Sequence, residues 1–326
     1  MPVARPPRFW FEPSPVAAAL VPLAWLFRGI TRLRRAYWRS RSVACGAPVI
    51  VVGNLVVGGA GKTPLVIHLA QRATERGWSP GIVLRGYGGR ATHWPQWVTA
   101  DSDPRMVGDE AVLIARRTGE AVAAGSDRVA AARLLVAAGC DLVISDDGLQ
   151  HYRLRRDREI VVVDGDHGLG NRRCLPAGPL REPPQRLASV DLIIARGHAW
   201  PQARGVYELA TAGFAAVGGA RTSPAPERGQ RVHAVAGIGD PERFFATLRT
   251  LGLEPVPHAF ADHHVFSPAD LAFEEPLPVV MTEKDAVKCA AFAPPGCWYL
   301  PVSARPDARA GVALDELLDS LVGYGS

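Results

Sequence analysis

Residues 49–64 read VIVVGNLVVGGAGKTP, and no other stretch restricts the fold as tightly. Four β-branched residues run into Gly53, a glycine-rich turn follows, and the text is helix-compatible from Leu65. A strand, a tight turn and a helix N-terminus in that order form a phosphate cradle, because backbone N–H groups at the turn point at the anion. The ATP-binding set read from the motif is Val56, Val57, Gly58, Gly59, Ala60, Gly61, Lys62 and Thr63. Lys62 reaches the β/γ-phosphates and the Thr63 hydroxyl is placed to ligate Mg²⁺. The strict pattern GxxxxGK[ST] wants glycine where this chain has Val56, and the deviant ATPase form wants lysine where it has Val57.

The rest of the chain fits the same architecture. Apolar, β-rich runs at 81–84, 141–145, 159–163 and 190–195 alternate with helical patterns such as 127–138. Continuous apolar strands separated by helices predict a P-loop NTPase-like α/β core, a mostly parallel sheet flanked by helices. After the Pro-containing linker around 220–230, a second set follows: strands at 232–236, 279–282 and 298–302, and helices at 241–251 and 314–321. The expected division is an N-terminal helical segment (1–41), the P-loop core (42–222) and a smaller C-terminal α/β domain (230–326).

Acids appear where nucleotide chemistry needs them. The apolar run DLVIS ends in Asp146-Asp147, as a Walker-B element does when it sets a carboxylate near Mg²⁺. Asp146 is the stronger metal candidate of the two, since Asp-Asp-Gly also favours a plain turn. VGDEAVLIA opens a helical run with Asp109-Glu110, AGPLREP aims Arg181 from between two prolines, and FADHHVF gathers Asp262, His263 and His264. Taken singly, each of these is more often structural than catalytic. The five cysteines show no metal-ligand spacing and receive no role.

Charge is concentrated at one end. Residues 1–41 hold eight arginines against one acid, Glu12, a net +7, whereas the whole chain carries +5. A nucleic-acid protein spreads basic charge over a folded surface, so no nucleic-acid partner is expected. The apolar run at 16–27 has 12 residues and contains Pro22, too short for the ~20 that a span requires. Basic residues follow it more than they precede it, unlike a signal peptide. Two readings remain level on composition alone. One is a helix packed on its own domain. The other is an interfacial helix with Leu20, Leu23, Trp25, Leu26 and Phe27 in the headgroup region and its arginines on anionic lipid, each worth ~1 kcal/mol.

In chain order, VGNLVVGGAGKTP, RGYGGR, VGDE, SDDGLQH, AGPLREP, FADHH and MTEKD resemble the tetraacyldisaccharide 4′-kinases, the lipid A kinases of Gram-negative bacteria. The resemblance runs from about residue 48 to 287 and favours the interfacial helix. It implies transfer of the ATP γ-phosphate to the 4′-hydroxyl of an acylated glucosamine disaccharide 1-phosphate, giving lipid IVA. The place implied is the cytoplasmic face of the inner membrane, on its lipid surface, with peripheral or monotopic attachment and no obligate protein partner. It also implies a catalytic Asp109 from the GDE motif and His263, directly after Asp262, as its partner. Lys62, Mg²⁺ and Arg181 would stabilise the transferred charge. Rival readings fare worse. A guanine-reading [NT]KxD would need its lysine one position earlier than TEKD offers, a deviant-Walker switch lacks its signature lysine at Val57, and a binding module with a vestigial P-loop would not keep Lys62, Thr63 and Asp146 intact.

Overall fold

The computed structural model describes residues 7–59, 61–218 and 224–322. Ala60, residues 1–6 of the N-terminal segment and residues 219–222 at the end of the expected core lie outside the described residues. The larger sheet takes β1 (Val49–Gly53), β2 (Pro80–Leu84), β3 (Gln96–Val98), β4 (Ala121–Ala124), β5 (Leu142–Asp146), β6 (Arg158–Asp164), β7 (Leu192–Arg196) and β8 (Gly205–Thr211). The smaller sheet takes β9 (Ala215–Ala216), β10 (Arg231–Ala236), β11 (Glu254–Ala259), β12 (Val279–Thr282) and β13 (Cys297–Leu300). A last strand, β14 (Val302–Pro306), returns to the larger sheet.

The larger sheet has the order β14-β8-β7-β6-β1-β5-β2-β4-β3. Its pairings are parallel except at the two edges, where β3 and β14 run antiparallel to their neighbours. β1, β2 and β5 are buried along their whole length. This is why they read as unbroken apolar runs rather than as alternating ones. The smaller sheet, β11-β10-β12-β13-β9, is likewise parallel except for β9.

The helices are α1 (Pro15–Ala19), α2 (Val21–Arg39), α3 (Lys62–Glu75), α4 (Pro104–Val107), α5 (Asp109–Thr118), α6 (Arg128–Ala137), α7 (Pro241–Thr250), α8 (Glu283–Cys289) and α9 (Ala308–Asp319). One face of the larger sheet buries Leu65 and Leu69 of α3, Val112 and Ile114 of α5, and Leu314 and Leu318 of α9. The other face buries Val129 and Leu135 of α6 and Ala24 of α2. Each of the leucine, isoleucine and valine side chains among them contributes ~1.5–3 kcal/mol of transfer free energy. The smaller sheet is covered by Phe245 and Leu248 of α7 on one side, and by Ala286 and Cys289 of α8 on the other.

Two expectations need adjustment. The single strand expected at 298–302 is two, because Pro301 has no N–H to give a ladder. Its first part, β13, stays in the smaller sheet, and β14 pairs with β8 of the larger one. α9 follows it and packs on the large-sheet core. The C-terminal stretch counted with the smaller unit therefore braces the larger one. β4 is Ala-rich, and its sequence carries no strand signal. It owes its strand state to pairing between β2 and β3.

At the N-terminus Ser14 caps α1, and Pro22 sits in the first turn of α2, where a missing N–H costs nothing. Leu20, Val21, Ala24 and Phe27 pack on the large-sheet core. Leu23, Leu26, Ile30, Leu33 and Tyr37 are exposed, Leu33 to 73%. Their three- and four-residue spacing lines them along one outward stripe. Of the five residues expected in the headgroup region, Leu20 and Phe27 thus face the protein, and Leu23, Trp25 and Leu26 face outward. No described helix is long and apolar enough to cross a membrane.

Candidate active site

The P-loop leaves the C-terminal end of β1 and enters α3 at Lys62. Gly61 has φ +70°, and a Cβ there would lie 2.7 Å from Cδ of the Arg196 side chain, so both backbone and space call for glycine. Tyr207 donates its hydroxyl to the Gly61 carbonyl at 2.7 Å and fixes the turn from below. The departures at Val56 and Val57 have a structural cause. Val56 bridges antiparallel to Leu180, and Val57 N–H donates to Pro179 O at 2.9 Å. The first half of the loop is therefore extended and zipped to the AGPLREP segment, a setting that suits β-branched residues.

Lys62 is buried, and its Nζ donates to Asn54 Oδ1 at 3.1 Å and pairs with Asp147 Oδ1 at 3.2 Å. Register places Val52 of β1 opposite Asp146 of β5, so the acid stands beside the start of the loop. Thr63 Oγ1 donates to Asp146 Oδ2 at 3.4 Å. Asp146 is buried, and its Oδ1 has no hydrogen-bond partner. Burial, with help from Glu110, pushes its carboxyl up to about 7. Burial also pushes Asp147 up, but Lys62 and Arg181 outweigh it and hold that carboxyl below its ordinary value. Arg181 spans Asp147 (3.2 Å), Gln150 Oε1 (3.0 Å) and Asn54 Oδ1 (2.8 Å), which makes it a strut of the loop.

A hydroxyl of threonine beside a buried carboxylate with one unpartnered oxygen fits a small hard cation. No described group of three or more His, Cys, Asp or Glu forms an all-protein cage. That suits Mg²⁺, which takes few protein ligands and fills its remaining positions with water and phosphate.

Asp109 opens α5 and is 5% exposed. Gly108, before it, has φ +96°, and a Cβ there would strike Tyr87 O at 2.7 Å. This glycine lets the RGYGGR loop press against the start of α5. His263 comes from the other unit and holds the left-handed conformation, φ 59°, which is uncommon outside glycine. Its Nδ1 lies 3.4 Å from Asp109 Oδ2, and its ring packs on Tyr87 with centroids 4.6 Å apart. Burial works to raise Asp109, but the His263 contact, Lys284 and Lys288 outweigh it and hold the carboxyl below its ordinary value.

The structure thus brings together Lys62, Thr63, Asp146 and Asp147 at the loop, with Arg181 behind it, and sets Asp109 against His263 where the two units meet. His264 turns away to Asp270, 3.4 Å off. Sequence reasoning missed Lys284 and Lys288 of α8. Both ammonium groups lie 3.9 Å from Asp109 Oδ2. Lys284 lies in the TEKD stretch, which was weighed as a guanine reader and counted in the resemblance without a role for its lysine, and Lys288 lies three residues beyond it. Asn54 and Gln150, the polar floor of the loop, were missed as well.

The model of the family described as tetraacyldisaccharide-1-P 4′-kinase, LpxK, matches residues 16–321. A tetraacyldisaccharide 4′-kinase of Alkalilimnicola ehrlichii is 54% identical, with 97% of each chain covered. One of Halorhodospira halophila is 51% identical at the same coverage. The crystal structure of LpxK from Aquifex aeolicus in complex with ATP has the same fold, with a TM-score of 0.75, 24% identity, and 93% of this chain and 99% of that one covered. With geometry and sequence agreeing along nearly its whole length, the chain belongs to the tetraacyldisaccharide-1-P 4′-kinase family.

Proposed function

We propose that the chain transfers the γ-phosphate of ATP to the 4′-hydroxyl of a tetraacylated glucosamine disaccharide 1-phosphate. The observation that carries this reading is the Asp109–His263 contact at 3.4 Å, assembled between two units beside a phosphate-binding loop. A sugar hydroxyl is a weak nucleophile, so a carboxylate that takes its proton as phosphorus is attacked accelerates the step. Asp109 is that acceptor, and His263 orients it. Lys62 and the loop N–H groups hold the phosphates, while Arg181 keeps Asn54 and Asp147 in register with them. Thr63 and Asp146 would hold Mg²⁺, which supplies positive charge to the phosphate oxygens.

Label followed from γ-³²P-ATP should appear on the acylated disaccharide 1-phosphate in detergent micelles. If inorganic phosphate forms at the same rate with and without acceptor while the lipid stays unlabelled, the kinase reading is wrong.

The outward stripe of α2 and its flanking arginines support peripheral attachment to an anionic lipid surface, and the family resemblance implies that this surface is the cytoplasmic face of the inner membrane. Leu26→Glu with Leu33→Glu removes two exposed apolar side chains that support no packing. The pair should weaken binding to anionic vesicles by at least about tenfold, since each buried leucine contributes ~1.5–3 kcal/mol. Folding should be unchanged by circular dichroism, and unaltered vesicle binding would exclude the stripe.

A further inference from the structure

Lys284 stands in the second residue of α8, on the smaller unit, and is largely buried. Its ammonium is in hydrogen-bond range of Glu110 Oε1 at 3.2 Å and His263 Nε2 at 3.4 Å, with Asp262 Oδ1 a looser ion pair at 3.6 Å. A lysine ammonium has three donors and no acceptor, so it can serve both at once and can only donate to the imidazole. Burial works to lower its proton affinity, but Glu110, Asp109 and Asp262 outweigh that and hold it above the ordinary lysine value. It stays charged.

A permanent donor at Nε2 has a consequence for the imidazole. The ring nitrogen facing it must be the one that accepts. In a neutral ring the proton then resides on Nδ1, which faces Asp109 Oδ2 at 3.4 Å. Among the described residues, the carboxylate oxygen paired with Nε2 is Asp262 Oδ2, and at 3.8 Å it is beyond hydrogen-bond range. The same end of α8 is also tied to the C-terminal turn of α5, by Arg117 to Glu283 at 2.8 Å. Lys284 is therefore not needed merely to hold the helices together.

We propose that Lys284 is a positioning residue that fixes His263 in the Nδ1–H tautomer, so that the ring donates to Asp109 Oδ2, while Oδ1, which accepts from the Glu110 N–H at 2.8 Å, keeps a second lone pair for the hydroxyl proton. The proposal rests on the kinase reading for its catalytic consequence, whereas the tautomer can be measured without any acceptor.

The experiment uses the full chain in detergent micelles with ¹⁵N-labelled histidine. His263 is assigned by comparison with His263→Ala. Long-range correlations should show Nδ1 protonated and Nε2 bare in the wild type. Lys284→Met should lose that preference, and kcat should fall about tenfold to a hundredfold, the range for a partner that orients a reacting group. KM for ATP should remain within about twofold. Lys284→Arg retains charge and donors, and should keep the tautomer and recover most of kcat. A protonated Nε2 in the wild type overturns the proposal, and that result stands even where Lys284→Met does not fold. A methionine variant with unchanged tautomer and kcat overturns it too. Failure of the wild type to label the lipid would count against the kinase reading alone.

Discussion

Asparagine in place of Asp109 lowers kcat for phosphoryl transfer by ~10²–10⁴, the range for loss of a general base, and leaves KM for ATP nearly unchanged. The side chain is 5% exposed and held below its ordinary carboxylate value by His263, Lys284 and Lys288 acting against burial. It is thus in the accepting form throughout the neutral range. An amide of the same shape keeps the packing and removes the acceptor. His263→Ala should cost less than Asp109→Asn, because it leaves the carboxylate present but unaimed. The double variant should lose little more than Asp109→Asn alone, since groups that act as a unit are not additive. Losses that multiply would show that the two residues work independently and would break the dyad. Nucleotide affinity supplies the control. Asp109 makes no contact with Lys62 or Thr63, so a large fall in ATP binding would mean that the substitution disturbed the fold.

How much of this was legible in the sequence depends on the range over which each feature is set. The strand–turn–helix around Lys62 is local, and its residues announce it. Asp146 is legible because a buried strand that ends in an acid is unusual enough to stand out. The departures at Val56 and Val57 are visible as departures, but their cause is not. It lies in the pairing with Pro179 and Leu180, set far along the chain. The contact between Asp109 and His263 was implied by the family resemblance, not by spacing, since nothing local joins the two units. Lys284 is the clearest omission. Judged as a guanine reader its lysine stood one place too late, and only the packing of α8 against α5 turns that lysine toward the acids. β4 shows the same limit for secondary structure. An alanine run takes its state from the sheet that surrounds it.

Asparagine at position 146 should change stability and activity in opposite directions. The folded protein raises this carboxyl from an ordinary 3.8 to about 7, chiefly through burial. Below the ordinary value both folded and unfolded chains carry the proton, and the group contributes nothing to the balance. As pH rises toward 7, the unfolded chain releases the proton first, so the native acid costs stability. Above 7 the cost is complete, at most roughly 4 kcal/mol for about three pKa units. The amide never ionises. With metal chelated, Asp146→Asn should therefore melt higher than the wild type, with an advantage that grows from about pH 4 and levels off above pH 7. The same change removes the charge that Thr63 and Asp146 would offer to Mg²⁺, so turnover with Mg·ATP should fall ~10²-fold or more, as expected when several kcal/mol of charge stabilisation is lost. A melting difference that does not vary with pH would show that burial of the acid carries no such cost. Wild-type turnover in the variant would remove Asp146 from the metal site and leave Asp147, already paired with Lys62 and Arg181, as the carboxylate to replace next.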